Sequence, residues 1–370
     1  STAYDNAEDT MPTLGSDNGL TLADLTGKAY DDPMWDQLLD QMSFEDMSLL
    51  VNLGGWQTAQ IDSVGKVATC DGPAGVNNFI TGTYGTPYPT EVLMAQTWNT
   101  DLLYDLGLAM GQEYADVNNY GVYGPAMNTH RSAFAGRNFE YYSEDGVLAG
   151  KLAAAQVNAM ATKGTYNYIK HFALNDQETN RCAFLLTYSN EQAIREIYLK
   201  PFELCIKNFD GTQIAVMSSF NWIGTVPACA NEDTLTTILR NEWGFQGMVI
   251  TDYDGSYGYM ITDHCVRTGN DLMLGFSSQA SNQLTNTESA TLNNALRTSC
   301  KNIMYTIANS GYYTNITDDG GMSNMTKLFV TIDVVTVLLV VLCMALVIVR
   351  YRKKHVKTVA EVTPEEKKEE

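Results

Sequence analysis

A chain of 370 residues, 45% of them hydrophobic, has room for one barrel-sized domain or two ordinary ones and enough apolar side chains for a large core, which excludes a disordered chain. Its 43 Asp and Glu outweigh 23 Lys and Arg, for a formal net charge of −20. So acidic a surface repels phosphate backbones, which excludes nucleic acid as a partner and favours neutral substrates.

Residues 1–31, rich in Asp, Thr and Gly, read as a polar lead-in. Helical spacing begins at Trp35, Leu38, Leu39 and Met42, and Ser43 with Asp46 reads as a capping box opening a second helix through Met47, Leu50 and Val51. Strand-like and helix-like runs alternate thereafter. The strand runs are Lys66–Thr69, Val122–Ala126, Tyr166–Phe172, Gln213–Ser218, Met248–Thr251 and Leu272–Leu274. The helix runs are Asn99–Val117, Ser143–Met160, Ser189–Asn208, Asn231–Asn241 and Thr287–Ala308. Caps are expected at Asn99 or Thr100 and at Ser189 with Gln192, and Pro201 should interrupt its helix. This alternation predicts an α/β fold, a (β/α)8-type TIM barrel over residues 32–313, incomplete or irregular in that only six strand runs stand out.

Residues 314–327 form a polar linker, and 328–349 are apolar except for Thr331, Asp333 and Thr336. At about 1.5 Å per residue that run reaches across a bilayer core, so one C-terminal transmembrane helix is expected. Arg350, Arg352, Lys353, Lys354 and Lys357 follow at once. The positive-inside rule then puts the charged tail 350–370 in the cytoplasm and the acidic barrel outside a bacterial cell membrane, a single-pass arrangement. No export signal is visible and Ser1 is not an initiator Met, so a longer precursor is expected.

No glycine-rich phosphate loop follows a strand, and the seven cysteines show no metal-ligand spacing, so neither cofactor nor metal is expected. Their pairing is not fixed by spacing, and buried thiols are the simplest reading. Polar clusters do recur after the strand runs: Asp71 to Gly75, Gly136 to Glu140, Lys170 to Phe172 and Thr251 to Tyr253. In a barrel such clusters converge at the carboxyl ends of the strands. Asp252, directly after an apolar run bounded by Gly247 and Gly255, is the leading catalytic residue, with Asp254 second. Asp71, Arg137, Lys170 and His171 supply the donors and acceptors for a polyhydroxylated ring. Because successive strand residues point to opposite faces, Lys170 and His171 can share the pocket only if the strand bulges there. Glu178 and Arg181, three residues apart, read as a structural ion pair behind the pocket.

The strings DGPAG (71–75), GRNFEYYSED (136–145), KHFALNDQETNR (170–181), REIYLKPFE (195–203), VMSSFN (216–221) and EWGFQGMVITDYDG (242–255) resemble glycoside hydrolase family 3, the β-glucosidase and β-xylosidase family, from about Tyr30 to Tyr313. The resemblance implies a retaining exo-acting β-glycosidase, a β-glucosidase first of all, whose nucleophile is Asp252 and whose substrate is a β-linked oligosaccharide or glucoside. It also implies that Asp71, Arg137, Lys170 and His171 line the subsite, bordered by Met217 and Phe220. The chain departs from the pattern at Asn77, where many relatives have Arg, and at Phe220, where Tyr is frequent. Retaining chemistry further needs a carboxyl about 5 Å from the nucleophile. In the β-glucosidase branch that Glu comes from an α/β sandwich domain, here expected upstream, in a circularly permuted order, or on a separate chain. A non-catalytic carbohydrate-binding surface protein that keeps the pocket is the alternative.

Overall fold

The computed structural model describes residues 4–75, 82, 84–255, 257–276, 283–314 and 324–361. Residues Ser1–Thr317 and Asp318–Glu370 form two separate units. Among its described residues the first carries nine strands: β1 (Asp71–Pro73), β2 (Gly121–Tyr123), β3 (Tyr166–Phe172), β4 (Leu186–Thr187), β5 (Ile214–Ser218), β6 (Trp222–Ile223), β7 (Val226–Pro227), β8 (Val249–Tyr253) and β9 (Leu272–Leu274). Six of them pair in parallel in the order β1-β2-β3-β5-β8-β9, while β4, β6 and β7 make a small separate sheet. The eight-stranded barrel expected from the sequence is thus, among the described residues, a curled six-stranded parallel sheet whose edge strands β1 and β9 do not pair with each other.

Alternation along these strands sorts their side chains into two cores. Tyr166, Tyr168, Ala215, Met217, Met248, Ile250, Leu272 and Leu274 belong to one cluster, whereas Ile169, Ile214, Val216 and Val249 belong to another with the helices Gly146–Ala161 and Lys200–Lys207. Both faces of the sheet are therefore buried, as parallel sheets require, which is why the strands read as unbroken apolar runs. Each large apolar side chain buried in this way stabilises the fold by about 1.5–3 kcal/mol.

The sheet curls because its two edges meet the same short segment. Gly54 N–H donates to Met273 O at 3.0 Å and Gly55 N–H to Gly275 O at 2.9 Å on the β9 side, while Asp71 N–H at the head of β1 donates to Trp56 O at 2.9 Å. The segment has to be glycine. A Cβ on Gly54 would lie 2.5 Å from Met273 O, and one on Gly55 would lie 2.7 Å from Gly275 O.

Several local expectations change. Lys66–Thr69 is not a strand of the sheet. Lys66 pairs antiparallel with Ile61 and buries its ammonium, which donates to Thr58 Oγ1, Ala59 O and Val67 O, so the first strand starts five residues later at Asp71. The helix expected over Ser189–Asn208 is capped by Asn190 rather than Ser189, widens to π geometry over Ile194–Tyr198 and restarts at Lys200 with Pro201 in its first turn, where a missing N–H is harmless. The capping box at Ser43 and the cap at Asn99 form as expected. The polar lead-in packs against the barrel: Asn294 Nδ2 donates to Thr10 O, Arg297 to Thr13 O, and Asp5 meets Arg267 at 3.0 Å.

The second unit holds the helix Asn324–Glu361, of which Val330–Lys353 is long and apolar enough to cross a membrane by length and composition. The linker residues 315–323 and the tail from 362 lie outside the described residues.

Replacing Gly54 with Ala should push β9 away from the closing segment and cost about 1–3 kcal/mol, as overpacking does. Urea unfolding of the variant should show that loss at an unchanged m-value, and wild-type stability would contradict the account of closure.

Candidate active site

Met248, just before β8, and Ile250 on it face the inner core, so the same alternation aims Asp252 inward at the carboxyl end of the strand. The strand's other end is fixed by Asp271. Its Oδ2 accepts from Val249 N–H and from Arg240 Nη2, both at 2.7 Å, and its Oδ1 accepts from Asn302 Nδ2 at 2.8 Å. Asp252 is 8% exposed. Its Oδ1 accepts from Tyr253 N–H at 2.7 Å, while Oδ2 lies 3.8 Å from His171 Nε2 and 3.9 Å from Arg181 Nη1, with no hydrogen-bond partner of its own. Burial pushes the carboxyl above the usual range, against the pull of Tyr253 N–H, Arg181, Arg137 and Lys170.

Lys170 and His171 both reach this cluster. The pairing of β3 with β5 shifts register between Ile169 and Phe172, and the peptides Lys170–His171 and Phe172–Ala173 are cis. His171 is buried, donates its backbone N–H to Asn128 Oδ1 (2.7 Å) and has Tyr141 Oη 3.3 Å from Nδ1. Burial, together with Arg137, Lys170 and Arg181, holds its pKa well below the ordinary value, so the ring is neutral. Lys170 Nζ lies 3.5 Å from Glu140 Oε2, and Glu140 also pairs with Arg137 Nε. Burial alone would raise Glu140, but Lys170 and Arg137 hold it below the carboxylate range.

Arg181 does more than its pairing suggested. Its Nε meets Glu178 Oε2 at 2.8 Å as expected, but the guanidinium also lies 4.4 Å over the Phe220 ring and turns Nη1 towards Asp252. Phe220 thereby borders the cluster through Arg181, and its ring also meets Tyr257 edge-on. Met217 sits lower, in the inner core, with its backbone in register with Ile250. Sequence reasoning missed Glu140 and Arg181 as site residues. Each sits three residues from an opposite charge, a spacing that first suggests a local pair, and only the spatial demand of Lys170 and Asp252 for partners reveals the second role.

Asp71 is held by three tyrosines. It is 0% exposed; Tyr166 Oη donates to its Oδ1 at 2.5 Å, and Tyr168 and Tyr123 Oη donate to its Oδ2 at 3.1 and 3.3 Å. Burial pushes it up to about 6 against those three donors and Lys66. The carboxylate fits only because Gly121 has no side chain, since a Cβ there would lie 1.9 Å from Asp71 Oδ1. Asn77 lies outside the described residues. Asp254 is buried beyond the strand, its N–H donating to Leu274 O at 2.8 Å. Among the described residues no group of His, Cys, Asp and Glu converges as a metal site, and all seven cysteines are free thiols.

Asp252 is thus a buried carboxylate at the end of a parallel strand, beside a neutral imidazole and in the field of two arginines and a lysine. Residues 57–281, well over half the chain, match the glycosyl hydrolase family 3 N terminal domain, and the chain belongs to that family. It is 41% identical over 227 residues to beta-glucosidase A of Butyrivibrio fibrisolvens, covering 61% of this chain and 27% of that protein. It is 36% identical over 245 residues to a beta-glucosidase of Rhizobium radiobacter, covering 65% and 29%. Among solved structures, beta-glucosidase 3B from Thermotoga neapolitana in complex with glucose superimposes with a TM-score of 0.66 at 32% identity, covering 76% of this chain and 43% of that one. A beta-glucosidase from Paenibacillus barengoltzii gives 0.71 at 31% identity, covering 83% and 36%. The chain thus spans under a third of the length of these curated relatives.

Removing the Arg181 cation, as in Arg181→Met, should raise the Asp252 pKa further, because an opposite charge 3.9 Å away favours the ionised form. Asp252 would then be ionised only at higher pH. The acid limb of kcat/KM for an aryl β-glucoside should move up accordingly, and an unmoved limb would exclude Arg181 from the site.

Proposed function

We propose that this protein is a retaining, exo-acting β-glucosidase. The observation that carries the reading is the placement of Asp252, buried at the β8 terminus with one carboxylate oxygen free of hydrogen bonds and two cationic or neutral donors just under 4 Å away. That oxygen attacks the anomeric carbon, the glycosidic C–O bond breaks, and a glycosyl ester forms on Asp252 that water then opens with overall retention. Arg181, Arg137 and Lys170 keep the carboxylate ionised in its buried setting, and the neutral His171 can hydrogen-bond a hydroxyl without adding charge. Asp71 takes part in sugar binding in this reading by exchanging a tyrosine donor for a sugar hydroxyl. Met217 forms the floor beneath the ring, and Phe220 the wall behind Arg181.

In this reading the leaving oxygen takes its proton from a carboxylic acid of an α/β sandwich domain. A membrane-crossing helix directly after the barrel suits an order in which that domain precedes the barrel, or belongs to a separate chain. With the helix as anchor, the basic residues from Arg350 stay in the cytoplasm and the acidic barrel faces outward.

An aryl β-glucoside with a strongly acidic phenol as leaving group needs no proton donor, so it tests the nucleophile alone. Asp252→Gly should lower its turnover on the order of 10⁴-fold. Added azide should restore turnover and yield the α-glucosyl azide, because a single displacement inverts the centre. Turnover of the variant without azide at the wild-type rate would overturn the assignment.

A further inference from the structure

A cavity of about 320 Å³ opens between the residues following β1, the short helix Glu91–Ala95 and the turn at Asn138–Glu140, with Ala74, Tyr88, Glu91, Phe139, Glu140 and Lys170 among its walls. That is the lower end of the size range of small-molecule sites, about 300–1,000 Å³. Lys170 and Glu140 connect it to the cluster around Asp252, since Lys170 Nζ reaches Glu140 here and contributes to the field on Asp252. Glu91 has no role in the site as described so far.

Glu91 is 7% exposed, at the first position of its helix. Lys170, the cation that acts on it, is already engaged by Glu140. Arg137, Lys170 and Arg181 are the cations of the cluster, Glu140, Glu178 and Asp252 its anions, and His171 is neutral. Ionised, Glu91 would be a second buried carboxylate sharing Lys170 with Glu140, a state proteins avoid by keeping the proton. Burial first, then Glu140, pushes Glu91 up to about 7, against Lys170 and the backbone N–H groups of Glu91 and Ala126. Besides these, Tyr142 faces the carboxyl and Tyr88 shares the cavity wall. A protonated carboxyl offers one donor and an acceptor side by side, whereas Lys170 only donates and Glu140 only accepts. A sugar hydroxyl is likewise both donor and acceptor.

Resting on the glucoside reading above, we propose that Glu91, in the wall of this cavity beside Lys170 and Glu140, is a specificity-determining residue of the sugar pocket whose carboxyl exchanges a pair of hydrogen bonds with one hydroxyl of the ring. Sugars that lack that hydroxyl, or carry a carboxylate in its place, are bound less well.

The test is calorimetric binding of D-glucose and its 2-, 3-, 4- and 6-deoxy analogues to the full-length protein as wild type, Glu91→Gln, Glu91→Ala and Asp252→Asn. Glu91→Ala should bind glucose about tenfold more weakly, and one deoxyglucose should bind wild type and Glu91→Ala equally. Glu91→Gln keeps a donor and an acceptor and should fall between them. Raising the pH through about 7 ionises Glu91, so glucose binding should weaken there in wild type and stay level in Glu91→Gln. A Glu91→Ala profile equal to wild type, or one weakened uniformly across all five sugars, overturns the proposal. If glucose binds neither wild type nor Asp252→Asn, the glucoside reading itself fails and this proposal falls with it.

Discussion

The site depends on a contest between burial and cations at one carboxylate. Taking Asp252 out of water raises its pKa, which makes it a poorer anion but a better nucleophile when ionised. Arg181, Arg137 and Lys170 offset that cost without forming a tight ion pair, since Arg181 Nη1 stays 3.9 Å from the carboxylate. Glu140 and Glu178 absorb most of the cationic charge. What remains for Asp252 is a field rather than a bond, and one of its oxygens is left without a partner. A carboxylate locked in a bidentate pair would be stable and inert. His171 completes the balance by staying neutral, so that it stands near the anion without neutralising it.

This balance requires that side chains from three distant stretches of chain, around Arg137, Lys170 to Arg181 and Asp252, come together. The parallel sheet does the positioning. Alternation sends Met248, just before β8, and Ile250 and Asp252 on it inward, and the register shift in β3 brings Lys170 and His171 to the same place. The base of β8 is tied by Asp271 to Arg240, Val249 N–H and Asn302, while the two glycines at 54 and 55 let the sheet's edges meet the closing segment. Stability and site geometry therefore share the same contacts.

Much of this was legible in the sequence because parallel strands buried on both faces leave an unmistakable trace. Tyr166–Phe172 and Leu272–Leu274 were read to the residue, and β5 and β8 within two residues of their ends. Lys66–Thr69 misled because three β-compatible residues follow a lysine whose burial no periodicity reveals; its ammonium is satisfied by Thr58, Ala59 and Val67, contacts set by a local antiparallel turn. The roles of Glu140, Arg181 and Glu91 were hidden for a related reason. Charged residues at i, i+3 spacing, or at a helix start, have a sufficient local explanation, and only the folded charge balance shows that they serve a second group. The enclosure of Asp71 by three tyrosines was equally hidden, since Tyr123, Tyr166 and Tyr168 come from two strands whose registry no single stretch encodes.

The most direct measurement is mass mapping of peptides after incubation with an activated 2-deoxy-2-fluoro-β-glucoside, in which the fluorine slows hydrolysis of the ester more than its formation. The account predicts one fluoroglucosyl adduct, on Asp252. An adduct on Asp254 or on any other carboxyl, or none with the proton-donating domain present, would contradict it.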